Sequence, residues 1–126
     1  MVVDTSALAA ILFAEQGFED LAKRLESAET LLLSAASLVE LSMVVESRKG
    51  EEGARQIDLL LYRTRIEIVP VDAEQAEIAR DAWRRFGKCR HPAALNYGDC
   101  FAYALAKQTG LPLLYKGDDF SQTDLA

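Results

Sequence analysis

Short apolar runs alternate with longer amphipathic segments in this chain, and that alternation restricts its fold more than any other feature. Met1–Val3, Thr30–Leu33, Ile66–Val69 and Leu113–Tyr115 read as strands. Thr30–Leu33 ends in an unbroken run of leucines, the pattern of a strand covered on both faces. The segments between read as helices. Asp4-Thr5-Ser6 offers N-cap oxygens to a helix over Ala7–Ala14. Phe18, Leu21, Ala22 and Leu25 follow the i, i+3, i+4, i+7 stripe of a second helix, Phe18–Ser27. Ser34 opens a helix that runs to Arg48, Gly50 breaks it, and a charged helix follows over Glu51–Tyr62. Asp72 caps the next helix, with Gln75 at the capping-box position, and Gly87 ends it. After a loop over Lys88–Tyr97, a helix spans Tyr97–Thr109 and stops at Gly110. Strand–helix alternation of this kind predicts an α/β fold, a parallel sheet with helices on both faces.

The 126 residues make one domain, residues 1–126, with enough chain for a core that needs no staples. A net charge of −6 argues against a sequence-independent polyanion binder, whose affinity rests on Lys and Arg. It leaves room for a nucleic-acid enzyme, because bound divalent cations and a local basic patch reverse the sign where it matters. Cys89 and Cys100 form no zinc pattern and read as reduced thiols of a cytoplasmic protein. No basic region precedes the first apolar run, and Asp4 and Glu15 interrupt it, so a signal peptide is not expected. No apolar stretch approaches the ~20 residues that span a bilayer.

Four carboxylates stand out against this background. Asp4 ends the first strand, and Glu40 is flanked by Leu38, Val39, Leu41 and Met43. Asp99 opens the apolar run Cys100–Ala106, and Asp119 follows the fourth strand. Only Asp119 has a basic residue at helical spacing, Lys116. Taken singly, Asp4 reads as a helix cap, Asp99 as a first-turn partner of the helix dipole, and Asp118-Asp119 as a turn. Taken together, they are hard oxygen ligands without basic partners, which points to Mg²⁺ or Mn²⁺. In a parallel sheet, sites form beyond the carboxyl ends of the strands, where these four positions can converge.

The stretches MVVDTSAL, SAASLVELSMV and LNYGDCFAYALAKQTGLPLLYKGDDF, with the Thr123-Asp124 pair that follows, resemble the PIN-domain family and its VapC toxins. The resemblance covers essentially the whole chain, and Gly98–Ala106 is its most specific part. It implies a three-layer α/β/α fold with a short central parallel sheet of four or five strands. It also implies a Mg²⁺-dependent ribonuclease whose four acids are Asp4, Glu40, Asp99 and Asp119. Thr5 and Ser6 match polar positions beside the metal. Asp118 stands where relatives often carry Asn, and either joins the site or lines it. The implied partners are an RNA substrate (transfer or ribosomal), a VapB-type antitoxin and a second copy of the chain, with heterotetramers or larger assemblies when antitoxin is bound. No membrane is involved.

Phosphodiester hydrolysis needs an activated water, positive charge on the nonbridging oxygens and a stabilised leaving oxygen, all of which a divalent ion supplies. Asp4 and Asp99 are expected to ligate the main ion, with Glu40 and Asp119 acting through water or on a second ion. Arg84, Arg85, Lys88, Arg90 and His91 precede the helix that carries Asp99 and form the candidate RNA-binding segment, with Lys116 as a further phosphate contact. The competing explanation for the segment is a solvated helix end favoured by the dipole. Trp83 and Phe86 read as core or interface, and Cys100 as a small buried hydrophobe. Leu8, Ile11, Leu12, Phe13, Phe18, Leu21 and Leu25, with the helix around Leu59–Tyr62, offer more apolar surface than a small sheet covers and suit an antitoxin groove. The alternative function is a PIN-like regulatory module that acts mainly within an antitoxin–DNA complex.

Overall fold

The computed structural model describes residues 1–125. Four short strands, β1 (Val2–Val3), β2 (Leu32–Ser34), β3 (Glu67–Val69) and β4 (Leu113–Leu114), form one all-parallel sheet in the order β3-β2-β1-β4. Successive residues of a strand point to opposite faces. Val2 accordingly joins a core with Leu32, Leu113 and Phe120, while Val3 joins another with Leu33 and Leu114. Helices α4 (Ala73–Phe86) and α5 (Tyr97–Thr109) cover the first face. Helices α1 (Thr5–Leu12), α2 (Phe18–Ser27) and α3 (Ala35–Thr64) cover the second. This is the expected three-layer α/β/α arrangement with four strands; no fifth strand occurs among the described residues.

Several boundaries differ from the sequence expectation for local reasons. Helix α1 starts at Thr5, because Asp4 rather than Thr5 or Ser6 is the cap: its Oδ2 accepts from the Ser6 N–H at 2.9 Å. The break at Gly50 is as expected: at φ 59° and ψ −144° it is not helical and divides α3 into two helical stretches, and a positive φ of that kind suits glycine. Strand β2 runs one residue further, through Ser34, whose hydroxyl then caps α3 by accepting from the Ala36 N–H. Gln75 does not complete a capping box. Its backbone N–H donates to Asp72, but its buried side chain donates to the Pro70 carbonyl and to Gln108. Ile68 is partly exposed because β3 is an edge strand.

The order of the strands decides where a site can form. From β1 the chain steps through β2 to β3 on one side, then returns to place β4 on the other side of β1. The reversal lies between β1 and β4, and ligands of such sheets bind in the crevice beyond the strand ends at that point. Asp4 is the residue after β1, and its N–H donates to the Leu114 carbonyl of β4 at 2.9 Å.

Candidate active site

Three of the four acids are held by the starts of helices. Asp4 caps α1 through one carboxylate oxygen and is 2% exposed; its other oxygen, Oδ1, is buried with no hydrogen-bond partner. Asp99 is buried in the first turn of α5 and closes a capping box with Asn96: its Oδ2 accepts from the Asn96 N–H at 3.0 Å, and its own N–H donates to the Asn96 side chain. Asp99 Oδ1 has no hydrogen bond among the described residues. Glu40 is half-buried in the second turn of α3, and its carboxylate lies against the backbone of Gly98 in α5. Both simple readings of Asp4 and Asp99, as a cap and as a first-turn acid, therefore hold together with convergence. Each cap uses one oxygen and leaves the other aimed elsewhere.

Hydrogen bonds between elements fix the relative positions of these acids. The Thr5 hydroxyl donates to the Ser37 carbonyl at 3.1 Å, which ties the start of α1 to the turn of α3 that precedes Glu40. The Lys116 N–H donates to the Ser6 hydroxyl at 3.0 Å, which ties the same helix start to the segment after β4. That segment leads through Asp118, whose carbonyl accepts from the Ser121 N–H and hydroxyl, to Asp119 at the start of a 3-10 turn over Phe120–Gln122. Phe120 anchors the turn in the core. Asp119 and Asp118 are exposed, so the expectation of a charge set in apolar surroundings fails for Asp119: only Phe120, the next residue, is buried.

Electrostatics couple the four acids. Burial pushes the Asp4 carboxyl up to about 6, against the Ser6 hydrogen bonds, and the charge of Glu40 adds to the shift. Burial pushes Asp99 up to about 7, opposed by the Asn96 N–H and reinforced by the charges of Asp4, Asp119 and Glu40. No salt bridge among the described residues involves any of the four. Among those residues, also, no three His, Cys, Asp or Glu side chains stand close enough to grip one ion directly. Mg²⁺ takes only one or two carboxylates directly and keeps several waters. The orphaned Asp4 oxygen, the all-oxygen donor set and the uncompensated negative charge fit such a hydrated ion.

The expected RNA-binding residues separate into two groups. Arg84 and Lys88 line a cavity of about 690 Å³ between α4 and α5, together with Trp83, Asn96, Tyr97 and Phe101. Arg85 instead pairs with Asp81 at 3.5 Å and Asp124 at 3.7 Å, and Arg90 stacks over Trp83 at 4.2 Å. Lys116 faces Glu15 at 3.5 Å rather than Asp119. His91 braces its loop: Nδ1 accepts from the Ala93 N–H, and the ring packs edge-on against Phe86. Cys100 is buried, and burial pushes its thiol up to about 11, away from nucleophilic use. Of the early-helix residues expected to line a groove, Leu8, Leu21 and Leu25 are core instead. Exposed apolar side chains run along α3, at Val39, Met43, Val44 and, in the expected Leu59–Tyr62 stretch, Leu59 and Tyr62; Ile68, Val71, Trp83 and Tyr97 are exposed elsewhere.

Sequence reasoning passed over three residues of this site. Asn96 was legible, since Asn-x-x-Asp before an apolar helix is a capping-box signal. Ser37, fully buried with an unpartnered hydroxyl, and Gly98, against which Glu40 rests, carry no local signal.

Comparison with known proteins agrees with this arrangement. The PIN domain family model matches residues 1–125. The ribonuclease VapC of Mycolicibacterium smegmatis is 53% identical over 126 residues, covering 100% of this chain and 98% of the relative. Among solved structures, VapC20 of Mycobacterium tuberculosis, a toxin that cleaves the sarcin-ricin loop, superposes with a TM-score of 0.76 at 23% identity, covering 95% of this chain and 92% of that one. VapBC2 of Rickettsia felis, solved on a DNA fragment from its promoter, gives 0.74 at 17% identity, covering 98% and 92%. These two likenesses bear on the fold; the family rests on the sequence matches. The chain belongs to the PIN-domain family and, within it, to the VapC ribonucleases.

Proposed function

We propose that the protein is a metal-dependent endoribonuclease toxin that hydrolyses phosphodiester bonds of structured RNA and is held inactive by a VapB-type antitoxin. The observation that carries this reading is the unpartnered, buried Asp4 oxygen at the sheet's switch point, within electrostatic reach of Glu40. Asp4 and Asp99 would hold Mg²⁺, or Mn²⁺, through the oxygens their caps leave free, with Glu40 and Asp119 holding the ion's waters. When bound, the ion supplies the positive charge that activates a water and stabilises the phosphate oxygens. Glu40 would accept a proton from the attacking water. Thr5 and Ser6 fix the start of α1 against α3 and the β4 segment, which keeps the acids in register. Asp118 shapes the turn before Asp119 through its carbonyl.

Arg84 and Lys88, free of salt bridges among the described residues and close in sequence to the start of α5, suit substrate phosphates. The apolar floor of the α4–α5 cavity, with Trp83 and Phe101, suits a second copy of the chain. The α3 stripe of Val39 and Met43, four residues apart, suits the apolar face of an antitoxin segment. Among the described residues no helix is long and apolar enough to cross a membrane, and an RNA-cleaving role suits the cytoplasm.

The test is cleavage of purified tRNA and ribosomal RNA. Activity is expected with Mg²⁺, lost with EDTA and lost in Asp99→Asn at unchanged circular dichroism. Full activity in EDTA, or an Asp99→Asn protein as active as wild type, refutes the reading. A protein that cleaves no RNA yet binds promoter DNA with its antitoxin would support the regulatory-module alternative.

A further inference from the structure

Gly98 occupies the second position of α5 with an ordinary negative φ, so the backbone does not call for glycine there. Glycine in a helix costs up to about 1 kcal/mol relative to alanine, and a glycine that the backbone does not require calls for an explanation in space. The explanation is Glu40. A methyl group built on Gly98 would overlap all three atoms of the Glu40 carboxylate, and no other group approaches as closely. Gly87 differs, because there the added methyl meets the backbone and indole of Trp83.

We propose that Gly98 is a positioning residue: its missing side chain is the cradle in which the Glu40 carboxylate crosses from α3 to lie on the first turn of α5, next in sequence to Asp99. The contact joins two elements that carry separate acids, and the positive end of the α5 dipole favours a carboxylate at that spot. Because the overlapped atoms are the far end of a flexible, half-buried side chain, a larger residue at 98 displaces Glu40 rather than the fold. The cost of substitution thus falls on the site and not on stability. This inference rests on the proposed metal-dependent reading only for its functional consequence.

Gly98→Ala, Glu40→Gln and the double variant test it. Mn²⁺ affinity, measured by water-proton relaxation on the purified proteins, is expected to weaken by about ten-fold in Gly98→Ala, as outer residues of metal sites commonly do. The loss should match that of Glu40→Gln, and the double variant should be no weaker than Glu40→Gln alone, because both changes remove one interaction. Melting temperature should hold or rise. The metal-free crystal structure of Gly98→Ala should show the backbone unchanged and the Glu40 carboxylate moved off α5. Glu40 found in place, or losses that add in full, overturn the proposal. If the wild-type protein binds no Mn²⁺, the metal-dependent reading fails, and the metal-free structure still decides the cradle.

Discussion

Asp4 and Asp99 are buried acids that each give one carboxylate oxygen to a helix cap, and their burial governs how the protein responds to pH. One oxygen of each caps a helix, an interaction worth ~1 kcal/mol. Burial of the two carboxylates raises both pKa values, and the like charges nearby add a smaller push. The folded chain therefore keeps protons on Asp4 to about 6 and on Asp99 to about 7, whereas an unfolded Asp has lost its proton above 3.8. Stabilisation from these groups is full below the unfolded value and is lost as the pH rises through the folded ones. Thermal melts in EDTA should show the midpoint falling from about pH 4 to about pH 7 and levelling off above, with added Mg²⁺ recovering much of the loss at the upper end. Asp4→Asn keeps a good cap, since Asn caps as well as Asp, but removes one of the two titrations, so its melts should depend less on pH. A variant with the wild-type pH dependence would contradict the assignment. The sequence pointed to Asp4, Glu40 and Asp99 as acids among apolar neighbours. It could not assign their oxygens, because which oxygen a cap consumes depends on rotamer and backbone together.

At the scale of elements, the C-terminal segment is fastened to the helix that carries Asp99. The Tyr103 hydroxyl donates to Asp124 at 2.7 Å, Lys107 donates to the same carboxylate at 2.9 Å, and Arg85 lies 3.7 Å from it. Tyr103 is 1% exposed, and its burial beside Asp124 pushes the phenol well above its ordinary range. This clasp holds the turn that carries Asp119 and Phe120 against the first face of the sheet. Tyr103→Phe removes a charge-assisted hydrogen bond and should lower stability by about 1.5 kcal/mol in urea unfolding, leaving Asp124 solvated and paired to Lys107. A change below a few tenths would mean that the clasp carries no stability. The Thr123-Asp124 pair was visible in the sequence only as part of a family-like pattern. Its partners sit on α4 and α5, 17 to 39 residues away, and no periodicity within a helix reports a contact of that range. Helix ends were more legible. Asp72 and Gly110 acted as expected, because a cap is a contact between near neighbours in sequence.

Over the whole molecule, charge is distributed so that an acidic protein keeps some of its cations free of salt bridges among the described residues. Arg80 and Arg85 are occupied by Glu77 and Asp81, while Arg84 and Lys88 on the same stretch are free of salt bridges among the described residues. Replacing both with Ala should reduce the dependence of log affinity on log salt by a slope of about 1.4 for single-stranded RNA, two phosphates' worth. Binding measured across a salt series in EDTA, where no cleavage is expected, checks this, and an unchanged slope assigns the two residues to a solvated helix end. The same replacement of Arg85 should move the slope little, because Arg85 is spent on Asp81 and Asp124.

The amino-acid sequence by itself determined the class of fold and the succession of strands and helices, and it singled out the acids as candidates. Each of these follows from local patterning: apolar period, caps and breakers act within a few residues. Only the tertiary structure decided that β4 pairs with β1 on the side away from β2, which opens the crevice at Asp4. It alone decided that Asp119 is exposed while Asp4 is buried, that α3 rather than α1 and α2 presents the free apolar stripe, and that Gly98 leaves room for Glu40. These are contacts between residues tens of positions apart. Their energies depend on the shape of the space between packed elements, which no local run of residues encodes.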